Sequence, residues 1–393
     1  MDAVEYLQLL ADIPRVEAFR RAIERNVSPG QVVLDLGTGI GTYAMFAARA
    51  GARVYAVEAN PIIEVARQLG TDNGLADRIS FLEGWAADLQ PPERADVLIF
   101  EDYAPYLFQT ETALILEDVR RRWLKPVATA VPRAISVMLA PVCCPDRYDA
   151  LVAWPEEGPY GLDIDRLTHR VLNNLHPACW DESVLLADPV EVARVDLLGD
   201  AVLSVSAQVG WEMRQAGQLH GLGLWLDLDL ADGVAYSNAP ADRSSSWGQV
   251  FMPLARPLRL RPGEQLVATL ATVGGAPSRT DTWWTWRVSA GGDTQEMNSF
   301  RGIPLSMERL QRARLDYRPA LTPLGRARLA VLDLMDGEHS VAEIAAALRE
   351  RFPESVRTLR EAYRLVAREI EVAQIAPQQR PAASALSELG GET

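Results

Sequence analysis

Three glycines at alternate positions, Gly37, Gly39 and Gly41, lie between the aliphatic run Val32-Val33-Leu34-Asp35-Leu36 and the helix-forming segment Ala44-Met45-Phe46-Ala47-Ala48-Arg49-Ala50. Without a Cβ, such residues can take positive φ and let a ligand rest against bare backbone. The G-x-G-x-G spacing is tighter than the dinucleotide pattern G-x-G-x-x-G, which aims a helix N-terminus at a pyrophosphate. A tighter loop suits a nucleoside ligand without phosphate, such as S-adenosyl-L-methionine. About twenty residues on, where nucleotide folds place the acid that holds both ribose hydroxyls, the run Arg53–Glu58 ends in the carboxylate of Glu58. Asp35, in the run that enters the loop, joins the three glycines and Glu58 as an expected cofactor-binding residue.

These residues need a scaffold that alternates strand and helix. Val32–Leu36, Arg53–Glu58, Ile79–Glu83 and Ala95–Phe100 are strand-like, with helical segments near 61–69 and 112–123 between and after them. Such alternation predicts a parallel sheet covered by helices, here a Rossmann-like domain over 28–135. Residues 4–26 have helical periodicity interrupted by Pro14, which predicts two short helices within 1–27 that cover the cofactor. Past about 136 the texture changes to short Val-, Leu- and Trp-rich strands separated by Gly, Pro and Asp. The expectation there is an antiparallel β-barrel over 136–300, with a helical arm at about 157–180. Residues 301–372 turn helical again, and Ser340 with Glu343 has the form of a capping box. The stretch 373–393 is poor in large apolar residues and is expected to be a disordered tail.

Bulk properties narrow the partners. A net charge of −14 over 393 residues speaks against nucleic acid, which needs a basic surface. Three cysteines (Cys143, Cys144 and Cys179) make no disulfide framework and no metal-ligand spacing. The acidic start Met1-Asp2-Ala3-Val4-Glu5 is unlike a signal peptide, and no apolar run is long enough to span a membrane. A cytoplasmic protein without metal or membrane is expected.

Over about its first 290 positions the chain resembles the protein arginine methyltransferases, a family of class I S-adenosylmethionine-dependent enzymes. Leu10-Ala11-Asp12-Ile13-Pro14-Arg15 is similar to a family motif whose arginine grips the methionine carboxylate of the cofactor, a role the resemblance gives to Arg15. Gly84-Trp85-Ala86-Ala87-Asp88 sits where the family contacts adenine, which adds Ala87 and Asp88 to the cofactor set. Glu101-Asp102-Tyr103-Ala104-Pro105-Tyr106-Leu107-Phe108-Gln109-Thr110-Glu111 is similar to the family's two-glutamate hairpin, whose acids clamp a guanidinium. Glu101 matches the first acid. Glu111 falls one residue late for the second, and is either that acid or the start of a solvated helix. Ser246-Trp247 aligns with a loop in which the family has His-Trp, the histidine pairing with the aspartate equivalent to Asp12. His220 is a candidate stand-in. The resemblance thus implies catalytic Glu101 and Glu111, and substrate contacts from Asp12, Tyr103 and Trp247. A segment from Tyr160-Gly161-Leu162-Asp163, similar to the family's dimerisation arm, implies a homodimer.

A second resemblance covers about fifty residues. Leu321-Thr322-Pro323-Leu324-Gly325, followed by Leu332–Ile344, is similar to PqqD-like winged-helix domains, α+β modules that add a leader peptide to a sheet edge. Together the resemblances imply an N-methyltransferase acting on a peptide, with a ribosomally synthesised precursor held through the C-terminal domain. The alternatives are a protein arginine N-methyltransferase and, from another class, an inactive scaffold.

Overall fold

The structure is a computed structural model that describes residues 3–101, 110–152, 159–199, 204–240, 246–274, 282–304, 306–312 and 314–373. The chain divides into two compact units, Met1–Pro304 and Leu305–Thr393.

The first unit begins with helices α1 (Ala3–Ala11) and α2 (Ile13–Asn26), separated at Asp12, whose carboxylate caps α2 by accepting the Arg15 N–H at 3.3 Å. Pro14 stands in the first turn of α2, where its missing N–H costs no helical bond. Next come β1 (Val32–Leu36), α3 (Thr42–Arg49), β2 (Arg53–Glu58), α4 (Ile63–Asp72), β3 (Ile79–Glu83), β4 (Ala95–Phe100), α5 (Thr110–Arg122) and β5 (Leu124–Val131). The five strands pair in parallel in the order β3-β2-β1-β4-β5. Every residue of β1 is buried, as expected of a central strand covered on both faces. The two expected N-terminal helices and the Rossmann-like sheet are therefore both present.

The remainder of this unit is antiparallel. It runs through β6 (Ala134–Val142), α6 (Pro145–Val152), α7 (Asp165–Leu172), β7 (His176–Ala178), β8 (Val190–Asp196), β9 (Ser206–Glu212), β10 (Gly217–Ala231), β11 (Val234–Ser237), β12 (Gln249–Leu260), β13 (Gln265–Gly274), β14 (Thr282–Ala290) and β15 (Asp293–Asn298). The expected closed barrel is not seen as one continuous ladder. Among the described residues the ladders form two sheets, β7-β12-β10-β6-β8 with β11 on β10, and β15-β14-β13-β9. The sheets meet through side chains rather than through a closed ring of hydrogen bonds: Leu224, Leu254, Leu266 and Trp286 share one core, and the Trp286 indole donates to the Pro253 carbonyl at 2.8 Å. The expected arm is helical at α7, but that helix packs back on its own sheet: Leu172 is buried beside Phe251, and Arg170 donates to the Ile303 carbonyl at 2.6 Å. Tyr160, Leu162 and Leu167 remain exposed.

The second unit contains α8 (Met307–Arg312), α9 (Pro323–Leu334), α10 (Val341–Arg351) and α11 (Leu359–Ala373). Its core is Ala327, Val331, Ile344, Ala345, Leu348, Val356, Ala362 and Val366. The Ser340/Glu343 capping box is formed in both directions. The α+β winged helix is not seen: among the described residues this unit has helices and no strand, and residues 314–322, which carry Pro319, run into α9 without strand pairing. Of the expected tail, 373–393, Ala373 ends α11 and the rest lies outside the described residues. No helix among the described residues is long and apolar enough to cross a membrane.

Candidate active site

The strand order places the carboxyl ends of β1, β2 and β4 side by side, with the order reversing at β1, and open α/β sheets bind ligands just outside such ends. A cavity of about 230 Å3 lies there, lined by α1, the glycine loop, Arg15, Asp35, Tyr43, Glu58 and Glu101.

One end of the cavity is built from backbone. Gly37, Gly39 and Gly41 all have positive φ, at 74°, 56° and 82°. Gly39 needs its missing side chain twice over, since a Cβ there would lie 2.6 Å from the Tyr6 ring carried by α1. Gly41 caps α3 in the left-handed conformation. Glu58, at the end of β2, accepts the Gly39 N–H at 3.0 Å and the Asn60 N–H at 2.8 Å, so two backbone donors fix its carboxylate beside the loop. Asp35 is buried under the same loop and accepts from the Thr38 hydroxyl at 2.5 Å. Burial pushes its carboxyl up to about 7; the Thr38 and Ala44 hydrogen bonds oppose this, and the nearby charges of Glu101 and Glu58 add to it.

Side chains from distant positions build the other end. Arg15, 2% exposed on α2, donates from Nη1 to Glu101 Oε1 at 2.5 Å and to the Tyr43 hydroxyl at 2.9 Å, and from Nη2 to the Leu9 carbonyl at 2.5 Å. Burial works against its charge, but Glu101, Tyr43 and Asp12 outweigh burial and hold the guanidinium above its ordinary value. Glu101, just past β4, is displaced upward by burial, with Arg15 and a hydrogen bond from Tyr43 pulling the other way. Asp12 lies 3.4 Å from Arg15 Nε and accepts from the Ser246 N–H at 2.8 Å and hydroxyl at 2.9 Å, while the Tyr236 hydroxyl lies 3.4 Å from the same oxygen. Trp247 stands edge-on to Tyr236, with the Arg15 guanidinium 5.4 Å from its ring.

The cavity wall therefore brings together Arg15, Asp35, Gly37, Gly39, Glu58 and Glu101 from the sequence expectations, and Asp12 and Trp247 stand directly behind Arg15. Ala87 and Asp88 are exposed and do not line the cavity; the Ala86 and Ala87 carbonyls instead take hydrogen bonds from Arg122 at the end of α5, which turns this loop toward the helix. Tyr103 lies outside the described residues. Residue 111 falls in the first turn of α5, and its side chain is likewise outside them. The suggestion that His220 replaces the missing imidazole is wrong in place: His220 is buried, accepts the Cys144 N–H at 3.2 Å and lies against Tyr148. Burial lowers its tendency to protonate. Ser246 itself occupies the seat beside Asp12. The sequence reading gave no role to Tyr6 or Tyr43. Both lie next to the recognised motifs, but only their partners, Gly39 and the Arg15–Glu101 pair, mark them as part of the site.

Bare glycine backbone, a carboxylate at the nucleoside end and a buried guanidinium at the other form a donor set that fits S-adenosylmethionine. The fold and this set define a class: a Rossmann-like methyltransferase domain, for which S-adenosylmethionine is the cofactor. Residues 33–126 match the family model described as a methyltransferase domain. Among curated proteins the chain is 29% identical over 307 residues to protein arginine N-methyltransferase PRMT10 of Oryza sativa, which covers 68% of this chain and 80% of the rice protein. It is 31% identical over 244 residues to the probable protein arginine N-methyltransferase 6 of Arabidopsis thaliana (59% and 55%). It is also 28% identical over 274 residues to the histone-arginine methyltransferase CARMER of Anopheles gambiae, of which it spans 44%. Among solved structures, the Trypanosoma brucei PRMT1 enzyme–prozyme complex with AdoHcy superposes with a TM-score of 0.69 at 22% identity, covering 75% of this chain and 97% of that one. Arabidopsis thaliana protein arginine methyltransferase 10 gives 0.64 at 24%, covering 76% and 98%.

Proposed function

We propose that this chain transfers a methyl group from S-adenosylmethionine to a nitrogen of a protein or peptide, with an arginine side chain as the favoured acceptor. The observation that carries the reading is that Glu101 opens onto the same cavity as Glu58, Arg15 and the bare backbone of Gly39. In this reading Glu58 holds the ribose hydroxyls, the glycine loop bears the nucleoside, and Arg15 holds the amino-acid carboxylate. The cofactor supplies an electrophilic methyl on a sulfonium. Transfer is an in-line displacement, so the chain's contribution is orientation: Glu101 draws the acceptor's positive charge toward one side and leaves a lone pair aimed along the transfer axis. Among the described residues, Asp35, Glu58 and Glu101 against Arg15 give the cavity an anionic bias that suits a sulfonium and a guanidinium together.

The curated relatives named as arginine methyltransferases favour arginine over other nitrogens. Incubation of the full chain with an arginine-rich peptide and labelled donor tests this: methylarginine in the hydrolysed product is expected, and transfer to lysine or to the chain terminus alone would overturn it. A second reading, a ribosomally made precursor as substrate, is favoured by the C-terminal helical unit with its own core, available as a separate recognition module in the same chain. A homodimer through the face bearing Tyr160, Leu162 and Leu167 completes the proposal, and sedimentation of the full chain tests it.

A further inference from the structure

We propose that Tyr43 is a positioning residue for this transfer: its hydroxyl, bridging Arg15 and Glu101, holds the Glu101 carboxylate in the charge state and orientation that face the acceptor nitrogen. The inference rests on the reading of Glu101 as the acid that meets the acceptor. Tyr43 is the second residue of α3, which the turn at Gly41 starts directly behind the glycine loop. Its ring is buried and stacks on Phe19 at 4.8 Å and 14°. A phenylalanine would stack there equally well, so packing explains the ring and not the hydroxyl. The hydroxyl is placed where an apolar tip would leave charge unsatisfied: it accepts from Arg15 Nη1 at 2.9 Å and hydrogen-bonds the Glu101 carboxylate.

A phenol is suited to this place because it both donates and accepts, whereas Arg15 only donates and Glu101, when ionised, only accepts. Donation from Tyr43 favours the ionised carboxylate. The other described groups that bear on Glu101 are Arg15 from α2, which favours ionisation, Asp12 at the head of α2, which opposes it, and Asp35 from β1, with which it interacts across the cavity floor. Burial opposes ionisation as well. Among the described residues, Tyr43 and Arg15 are the groups that favour the charged carboxylate against burial. Arg15 is also assigned to the cofactor carboxylate, so its hold on Glu101 is shared.

The test is a carbon-13 titration of the full chain labelled at glutamate side-chain carboxyls, without donor, in which the resonance lost in Glu101→Gln identifies Glu101. In Tyr43→Phe the Glu101 midpoint is expected to rise by about one pH unit, the change for one lost hydrogen bond to a charged group. The acidic limb of the rate profile should move up with it, with much of the activity regained at higher pH. An unmoved midpoint, or a loss of activity equal at every pH, overturns the proposal. Tyr43→Met, checked for folding by its melting transition, serves as the second variant and should shift the midpoint in the same direction. Should the wild-type chain methylate no peptide, the functional reading falls, while the titration still decides the bridge.

Discussion

Glu58 and Glu101 line one cavity and are held in different ways. Glu58 is fixed by the N–H groups of Gly39 and Asn60, that is, by the path of the backbone around a glycine turn. Glu101 is fixed by side chains, Arg15 from 86 positions earlier and Tyr43 from the head of α3. Backbone donors do not titrate and survive every substitution except proline, so Glu58 is held by the path of the chain. The transfer end is a chain of polar contacts running Glu101–Arg15–Asp12–Ser246, and each link can be cut singly. On the proposed assignment of these two acids, binding and reactivity are separable, and the following outcomes sharpen or break that separation.

The largest effect is expected at the transfer end. Glu101→Gln should lower the rate of methyl transfer by about 10²–10³ while changing donor affinity by no more than a few-fold, read by labelled transfer and by calorimetry. At the nucleoside end, Gly39→Ala forces a side chain into a left-handed turn and against Tyr6, and donor affinity should fall by about tenfold or more with the maximal rate largely kept. Glu58→Gln loses a charged acceptor of hydroxyls and should weaken donor binding by roughly tenfold, again at near-normal maximal rate. Asp35 makes itself felt in stability. Its carboxyl is raised in the folded chain to about 7, so the unfolded chain ionises first and stability should decline between about pH 4 and pH 7 and then level off. In Asp35→Asn, chemical denaturation at these two pH values should show a flatter dependence, the difference being on the order of a few kcal/mol. The smallest effect is expected at Ser246→Ala, which keeps the Ser246 N–H bond to Asp12 and loses the hydroxyl; a two- to five-fold fall in rate, about the worth of one hydrogen bond, is expected in steady-state assays.

The same contrast explains what could be read from the chain. Strand, glycine turn, helix and the acid ending the next strand are local patterns, so β1, α3, β2 and Glu58 follow from the periodicity of apolar residues and the spacing of glycines. Glu101 follows too, since Ala95–Phe100 is a buried strand that delivers the next residue to the sheet's carboxyl end. The transfer end was not legible in this way. Ser246 reaches Asp12 across 234 positions, and nothing near either residue announces the pairing. His220 was a reasonable candidate by residue type, but its place in the long strand β10 turns it into the core of the antiparallel sheet, toward Cys144 and Tyr148. Ala87 and Asp88 rest on the family resemblance alone; the Ala87 carbonyl accepts from Arg122, and neither residue lines the cavity. In the antiparallel half, alternation identified strands but not partners, because a barrel and two facing sheets bury the same alternate residues. The winged helix likewise rested on a pattern of helix caps and apolar positions, which a helical unit without strands satisfies equally well.

The most direct test compares Glu58→Gln and Glu101→Gln in one assay, intact-mass analysis of an arginine-rich peptide after incubation with rising donor. The account predicts that saturating donor restores methylation in Glu58→Gln and fails to restore it in Glu101→Gln. Turnover by Glu101→Gln at the wild-type rate, or a Glu58→Gln chain that stays inactive at saturation, would contradict it.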